Sequence, residues 1–337
     1  MIVLDQQTTM TTTAAANIQV GVDIGGTKIN VLVVDSQLTE LAELTFPTDV
    51  STEENTLESI TNAVLSTLAV AKVSLDVVDG IGFGIPGKVK PENGDVAFAV
   101  NLNWTSYPAG QRLEQALGVP CYLQNDVRLA ALGVHYFYYP QVDNLIYVTV
   151  GTGVAAGVIL NKQLHRGTNE MAGEFGHMVV DPHGPRCNCG NYGCLETFIA
   201  GPAYTNAAMA ATDGLLAVMQ REEVEITAVS VFNAAAQHDS TAQHIIDNAG
   251  AMLGRGLQNL IMAYDPDKII IGGGVSHAGT PFLHAILREW ERQSSLSPLA
   301  ADLLKAEKIE LAPQNRNFGA WGGIALVQSH AQQVLIT

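Results

Sequence analysis

Three of the four cysteines in the chain lie within eight residues of each other, at Cys187, Cys189 and Cys194. His177 stands ten positions before the first of them. Three thiolates and one imidazole form the ligand set of a closed, tetrahedral structural zinc site. The two glycines between the last two cysteines allow the tight turns that bring closely spaced sulfur atoms onto one ion. The spacing therefore predicts a zinc site in this stretch.

Two alternatives to a zinc site fit the same cysteines. The clustered thiols could be reduced and simply buried. They could instead form a disulfide knot, which requires an oxidising compartment. The first seventeen residues are rich in Thr and Ala and show neither the basic region nor the apolar core of a signal peptide, which argues against that compartment. Zinc is favoured, but the spacing leaves open the role of the two flanking carboxylates, Glu174 and Glu196.

Length and charge limit the classes of function. A chain of 337 residues is comfortable for two domains, and 47% hydrophobic residues can form a large core. The net charge of −16 argues against partners such as nucleic acid or an anionic membrane surface. No apolar run is long enough to span a bilayer. We expect a soluble cytoplasmic protein in which residues 1–17 are a disordered leader.

Two segments have the pattern of a β-hairpin with a Gly-Thr turn. In the first, strands over 18–23 and 29–34 flank Gly25-Gly26-Thr27; in the second, a strand over 145–150 leads into Gly151-Thr152-Gly153. Such a tip exposes backbone amides and a hydroxyl that can cradle phosphate, although neither has the Walker A or Rossmann spacing. One such hairpin can be an ordinary turn. The pair suggests a duplicated architecture with a ligand clamped between the halves.

Further elements follow from hydrophobic periodicity and from Gly and Pro positions. Helices are predicted over 56–70, 201–219, 230–236, 241–263, 282–289 and 318–332, with one more beginning near 130; strands are predicted over 77–83, 120–123, 268–271 and 309–312. The strand at 120–123 delivers Asn125-Asp126 to a strand-to-helix junction, where an Asp most often acts as an N-cap. The amides of the polar cluster at 101–104 suit a hydroxyl-rich ligand but are equally common in loops.

Seven motifs in one order resemble those of the ROK family (repressors, open reading frames, kinases). In chain order they are Asp23-x-Gly-Gly-Thr27-Lys28, Gly84-x-Pro86-Gly87, Asn125-Asp126, Gly151-Thr152-Gly153, Gly173-Glu174-x-Gly-His177, Cys187-x-Cys189-Gly-x-x-Gly-Cys194-x-Glu196 and Gly272-Gly-Gly274. The resemblance covers about residues 18–330 and implies an actin-like ATPase (ribonuclease H-like) α/β fold, with two domains flanking a cleft. The domains would comprise residues 18–125 plus 318–334, and residues 126–317 with the zinc-binding loop.

The resemblance implies an ATP-dependent kinase acting on the 6-hydroxyl of a hexose or N-acetylhexosamine, most simply a glucokinase. Asp126 would be the general base, kept ionised at neutral pH by the helix N-terminus behind it. The implied sugar ligands are Asn101, Asn125, Glu174, His177 and Glu196. The implied ATP and Mg²⁺ site comprises Asp23, Gly25, Gly26, Thr27, Lys28, Gly151, Thr152, Gly153, Gly273 and Gly274. The implied structural Zn²⁺ ligands are His177, Cys187, Cys189 and Cys194, and His177 would use its second ring nitrogen on the sugar.

The same family contains sugar-responsive transcriptional regulators, which carry a helix-turn-helix domain before the first Gly-Gly-Thr turn. Only seventeen residues precede Ile18 here, so we expect a kinase rather than a regulator or a non-catalytic sugar-binding protein. Three departures from the family pattern are Arg128 in place of Asn, Val134 in place of Glu, and alanines at 155 and 156 in place of glycine. The resemblance also implies a homodimer or homotetramer.

Overall fold

A computed structural model of the protein describes residues 17–90, 92–314 and 316–334. The leader predicted over 1–17 lies outside this range apart from Asn17. The strands are β1 (Ile18–Ile24), β2 (Lys28–Val34), β3 (Glu40–Pro47), β4 (Val78–Ile85), β5 (Lys88–Lys90), β6 (Asp95–Ala99), β7 (Trp104–Tyr107), β8 (Cys121–Asn125), β9 (Leu145–Val150), β10 (Val154–Leu160), β11 (Gln163–His165), β12 (Lys268–Gly272) and β13 (Ile309–Leu311).

The chain is of the α/β type. Its helices are α1 (Glu53–Ala71), α2 (Ala109–Leu117), α3 (Asp126–Tyr138), α4 (Glu196–Ile199), α5 (Gly201–Met209), α6 (Gly214–Arg221), α7 (Ala228–Ala236), α8 (Ser240–Tyr264), α9 (Thr280–Leu296), α10 (Pro298–Leu303) and α11 (Phe318–Val334). Five consecutive helices, α4 to α8, lie between β11 and β12. Among the described residues, no helix combines the length and the apolar character needed to cross a membrane.

Two five-stranded sheets share one topology. Their strand orders are β3-β2-β1-β4-β8 and β11-β10-β9-β12-β13. In each sheet the central strand, β1 or β9, is antiparallel to the following hairpin strand and parallel to its other neighbour. The duplication predicted from the two Gly-Thr hairpins is therefore confirmed. The hairpin β1–β2 lies in the first sheet and the hairpin β9–β10 in the second. Each sheet therefore carries one of the two Gly-Thr turns.

The last helix returns to the first sheet, as the resemblance implied. α11 packs on β1 and β4, and glycines allow close backbone contact there. A Cβ at Gly21 would lie 1.8 Å from the carbonyl oxygen of Ala320, and one at Gly82 would lie 2.2 Å from that of Gly323. α3 packs on both α11 and β10, so this helix connects the two halves of the chain.

Two sequence-based assignments of helices are wrong. α3 begins at Asp126 rather than near 130. The single helix predicted over 201–219 is two helices, α5 and α6, because Gly214 adopts a left-handed φ of 73° and Asp239 accepts a hydrogen bond from the Leu215 amide. Eight elements were not predicted at all: β3, β5, β6, β7, β11, α2, α4 and α10.

Candidate active site

Two neighbouring chambers draw their lining from both halves of the chain. The first has a volume of about 480 Å³ and the second of about 550 Å³. Both are bordered by Asp126, Val127 and Thr149. Nine of the nineteen predicted site residues line the first chamber: Asn101, Asn125, Asp126, Gly151, Thr152, Gly153, Glu174, His177 and Glu196. The second is lined by Asp23 and Gly273 among others.

The N-terminus of α3 holds Asp126 where the two chambers meet. The N-cap is Asn125, whose side-chain oxygen accepts a hydrogen bond from the Arg128 amide at 3.1 Å. The Asn125 side-chain nitrogen donates to the Gly87 carbonyl at 3.2 Å and to Asp126 Oδ1 at 2.9 Å. The amide of Val127 adds a second donor to that oxygen, at 2.9 Å. Asn125 therefore caps the helix, and its side chain also orients the Asp126 carboxylate.

The surroundings of Asp126 raise the pKa of its carboxyl to about 7. Burial is the largest cause, followed by the negative charge of Asp23; the charge of Glu174 adds a smaller effect. Backbone hydrogen bonds at the helix N-terminus lower the pKa, but by less. The expectation that the helix keeps Asp126 fully ionised at neutral pH is thus corrected: near pH 7 the carboxyl is close to half-ionised.

This pKa predicts the pH dependence of any reaction that uses Asp126 as a base. Only the ionised carboxylate can accept a proton, so kcat/KM should rise about tenfold per pH unit below about pH 7 and level off above it. A kcat/KM profile between about pH 5 and pH 9 measures it. A profile that is flat down to about pH 5 would contradict the raised pKa.

Each Gly-Thr turn is closed by one backbone hydrogen bond, from residue i to i+3 in the first turn and from residue i to i+2 in the second. In the first, the Gly25 amide donates to the Lys28 carbonyl at 2.8 Å; in the second, the Gly151 amide donates to the Gly153 carbonyl at 2.9 Å. Thr27 and Thr152 are both exposed. The tips therefore leave hydroxyl groups available to a ligand.

Packing brings the first turn to the edge of the first chamber. The four predicted residues of this turn, Gly25, Gly26, Thr27 and Lys28, line neither chamber. Asn101 does line the first chamber, and a Cβ at Gly26 would lie 2.9 Å from its carbonyl oxygen. At the second turn, a Cβ at Gly151 would lie 3.7 Å from the Gly274 nitrogen. Gly274 itself lines neither chamber. The second turn and the glycine run after β12 are thus adjacent.

Asp23 is the last residue but one of β1 and lines the second chamber. Burial raises the pKa of its carboxyl, while a hydrogen bond with Asn317 and the charge of Lys28 act in the opposite direction. Asp23 and Asp126 are both half-buried carboxyls, and the charge of Asp23 acts on Asp126. This environment favours a cation, because two like charges are costly without one.

The predicted metal ligands are brought together. The ligand atoms of His177, Cys187, Cys189 and Cys194 all lie within 4.8 Å of one another. The Cys189 and Cys194 sulfur atoms are 3.6 Å apart, as are the Cys187 sulfur and the Nδ1 atom of His177. Metal–sulfur bonds of about 2.3 Å give a tetrahedron with edges of about 3.8 Å. The donor set and its spacing therefore fit zinc.

Backbone conformation makes this loop possible. Gly190 and Gly193 have left-handed φ angles of 96° and 66°, and a Cβ at Gly193 would lie 1.5 Å from the carbonyl oxygen of Asp181. The tight turns predicted for these two glycines are confirmed. Since His177 uses Nδ1 on the cysteine side and also lines the first chamber, its Nε2 atom is available to a ligand there.

Glu196 connects the metal loop to the second Gly-Thr turn. It is the first residue of α4, and its Oε2 atom accepts a hydrogen bond from the Val154 amide at 2.9 Å. Its Oε1 atom lies 4.0 Å from the Cys187 sulfur. A Cβ at Gly153 would lie 2.9 Å from Oε2, so a larger residue there would displace the end of the Glu196 side chain. Contacts with the metal loop and with the residue after the second Gly-Thr turn therefore fix the position of the Glu196 carboxylate.

Sequence reasoning missed several residues of these chambers, among them Thr149, Glu170, Met171 and Asn317. Thr149 borders both chambers, and its alternation with buried Val148 and Val150 on β9 was the signal that could have found it. Glu170 and Met171 line the first chamber and Asn317 the second, but no local sequence pattern distinguishes them.

Comparison of the chain with known proteins agrees with the resemblance seen in the motifs. A model of the ROK family matches residues 19–330. A glucokinase of Halalkalibacterium halodurans is 34% identical over 323 residues, covering 92% of this chain and 94% of that protein. A xylose repressor of Caldicellulosiruptor bescii is 33% identical over 265 residues, covering 74% of this chain; the match spans only 62% of the repressor.

A solved structure has the same fold. The ROK family glucokinase of Streptomyces griseus, crystallised with glucose and AMPPNP, superposes with a TM-score of 0.74 at 30% identity. The match covers 93% of this chain and 100% of that one. The expected actin-like ATPase fold is therefore confirmed.

Proposed function

Because the chain belongs to the ROK family, we propose that it is an ATP-dependent sugar kinase. It would transfer the terminal phosphate of ATP to the 6-hydroxyl of a hexose or N-acetylhexosamine, with glucose the first substrate to test. The near full-length match to a glucokinase supports this proposal, as does the likeness to a glucokinase crystallised with glucose and a nucleotide analogue.

The observation that carries the proposal is the position of Asp126. Its carboxylate borders both chambers and is oriented by Asn125 and the Val127 amide. With the sugar in the first chamber and ATP reaching it from the second, Asp126 would accept the proton of the attacking hydroxyl. Phosphoryl transfer otherwise depends mainly on positioning and electrostatic stabilisation.

The remaining groups fit binding roles around that base. Asn101, Glu174, Glu196 and the free ring nitrogen of His177 would bind sugar hydroxyls. The Gly-Thr turns would hold the phosphates with Mg²⁺, which Asp23 is placed to attract, and Gly273 and Gly274 would approach the adenosine. Zinc, where bound, supplies rigidity: it would fix His177 and the loop that leads to Glu196.

A sugar-responsive regulator is the second candidate, and the identity to a xylose repressor favours it. The net charge of −16 is unfavourable for DNA binding. Catalysis distinguishes the two candidates, because a regulator needs to bind sugar but does not need a positioned base.

We expect ADP release from Mg-ATP that depends on sugar. The measurement is a coupled ADP assay with glucose, mannose, N-acetylmannosamine and N-acetylglucosamine as alternative substrates. These sugars differ only at C2, in its configuration or in carrying an acetamido group in place of the hydroxyl. Glucose should give the highest kcat/KM, and a 6-deoxy sugar should give no turnover because it lacks the accepting hydroxyl. Sugar binding without turnover of any of these sugars would contradict the kinase and support the regulator.

A further inference from the structure

Arg128 has an unusual environment for a charged side chain. It lies two residues after Asp126 on α3 and is only 2% exposed. Its Nη2 atom donates to the Glu170 carbonyl at 2.7 Å and to the Ala172 carbonyl at 3.2 Å, and its Nε atom donates to the same Ala172 carbonyl at 3.2 Å. One guanidinium therefore fixes the backbone of two residues that are more than forty positions away.

The segment that Arg128 holds forms a wall of the first chamber. Glu170, Met171 and Glu174 all line that chamber. Glu170 has a left-handed φ of 55°, a conformation that costs a non-glycine residue conformational energy. External contacts must therefore stabilise the bend, and the three hydrogen bonds from Arg128 are suitably placed to do so.

The side chains of the two residues form a buried pair within the same wall. Arg128 Nη1 lies 3.6 Å from Glu170 Oε2, and among the described residues neither atom has a hydrogen-bond partner. The other charged groups facing this pair are Arg166, whose Nε lies 3.9 Å from Glu170 Oε1, and the carboxylates of Glu174 and Asp126. Arg128 Nη1 and Glu170 Oε2 are both buried and face each other, so Arg128 holds one oxygen of the Glu170 carboxylate away from the chamber. The Glu170 side chain still keeps 20% of its surface exposed, and the exposed part of a carboxylate that lines a chamber is suited to a hydroxyl or amide N–H group.

We propose that Arg128 is a positioning residue of the first chamber and that Glu170 is a specificity-determining residue there. Arg128 holds residues 170–172 in their bend, and the bend places the Glu170 carboxylate beside Glu174 in the wall that meets the sugar. The inference rests on the proposed sugar kinase function. It also accounts for the departure of residue 128 from the family pattern, because Asn is too short to reach two carbonyls across this distance.

The first test is Arg128→Lys, which keeps the charge but loses the planar fork that reaches two carbonyls. The KM for sugar should rise about tenfold or more, and the KM for ATP should change by less than about twofold. Hydrogen exchange of the amides over 167–174 should become faster. The matched control is Arg112→Lys, since Arg112 forms an ion pair with Glu54 on the surface and should change none of these quantities.

The second test is Glu170→Gly, which removes the carboxylate and relieves the left-handed strain. The melting temperature should fall, because the buried Arg128 guanidinium loses its counter-charge, and the ratio of kcat/KM values between glucose and N-acetylglucosamine should change by about fivefold or more. A purely structural pair predicts the same fall in melting temperature but an unchanged ratio of kcat/KM values.

Two outcomes would overturn the proposal. One is Arg128→Lys with unchanged sugar KM and unchanged exchange over 167–174. The other is an Arg128→Lys protein with a lower melting temperature in which the KM values for sugar and ATP rise together. If the wild-type protein phosphorylates no sugar, the proposed function fails separately; calorimetric titration of Arg128→Lys with glucose, together with the exchange data, then decides the positioning role.

Discussion

Replacing Asp126 by asparagine is expected to lower kcat for sugar phosphorylation by about 10²–10⁴-fold while sugar affinity changes little. Asparagine has the same shape and can accept the hydrogen bond that the Val127 amide now gives to Asp126. It cannot take a proton from the attacking hydroxyl. The measurement is steady-state kinetics beside calorimetric titration with sugar. Asp143→Asn is the matched control, because Asp143 is an exposed carboxylate paired with Lys162 on the surface.

The same substitution has a predicted effect on stability with a defined sign. The folded-state pKa of Asp126, about 7, lies above its ordinary value of 3.8, so the ionised carboxylate opposes folding above about pH 7. This cost is lost as the pH falls from about 7 to about 4, where both states are protonated. Asp126→Asn should therefore melt at a higher temperature than the wild type at about pH 8, and the two should converge near pH 4.

Two results would contradict the role of Asp126. If Asp126→Asn keeps kcat within about tenfold of the wild type, the carboxylate is not the base. If the variant loses sugar affinity and melts at a lower temperature at about pH 8, the carboxylate is a structural group rather than a catalytic one.

The features that could be predicted from the sequence are those formed by residues close together in the chain. The Gly-Thr hairpins were predictable because a strand, a glycine turn and a strand are contiguous. The metal ligands were predictable because three of the four lie within eight residues. The strands β5, β6 and β7 within residues 88–107 were missed, since they are only three to five residues long and lack a clear alternation. The helix over 109–117 was missed as well.

Properties that depend on distant residues could not be read from the sequence. The pKa of Asp126 is raised by Asp23 and Glu174, which lie far away in the chain and meet only in the folded cleft. Arg128 was recognisable only as a departure from a pattern; its contacts with residues 170 and 172 depend on how α3 packs against the loop after β11. The N-cap of α3 was assigned to the wrong residue because Asn125 and Asp126 are equally good caps in isolation.

Loss of the metal is expected to have the second large effect. Purified protein should contain about one zinc ion per chain by elemental analysis, and Cys189→Ser should lose it, since one hydroxyl cannot replace a thiolate in this set. We expect kcat/KM for sugar to fall by about 10–100-fold. The reason is that His177 and Glu196 both line the first chamber and both contact Cys187, so a loosened loop would displace both at once.

Cys121 provides the matched control for this prediction. It is a buried free cysteine on β8, outside the metal cluster, so Cys121→Ser should retain both zinc and sugar turnover. Removing the metal from the wild type with a chelator should reproduce the Cys189→Ser defect, and adding zinc back should reverse it. A Cys189→Ser protein that retains metal and full activity would show that the cluster is merely three reduced cysteines beside a histidine, because a four-ligand site cannot lose a thiolate without loss of affinity.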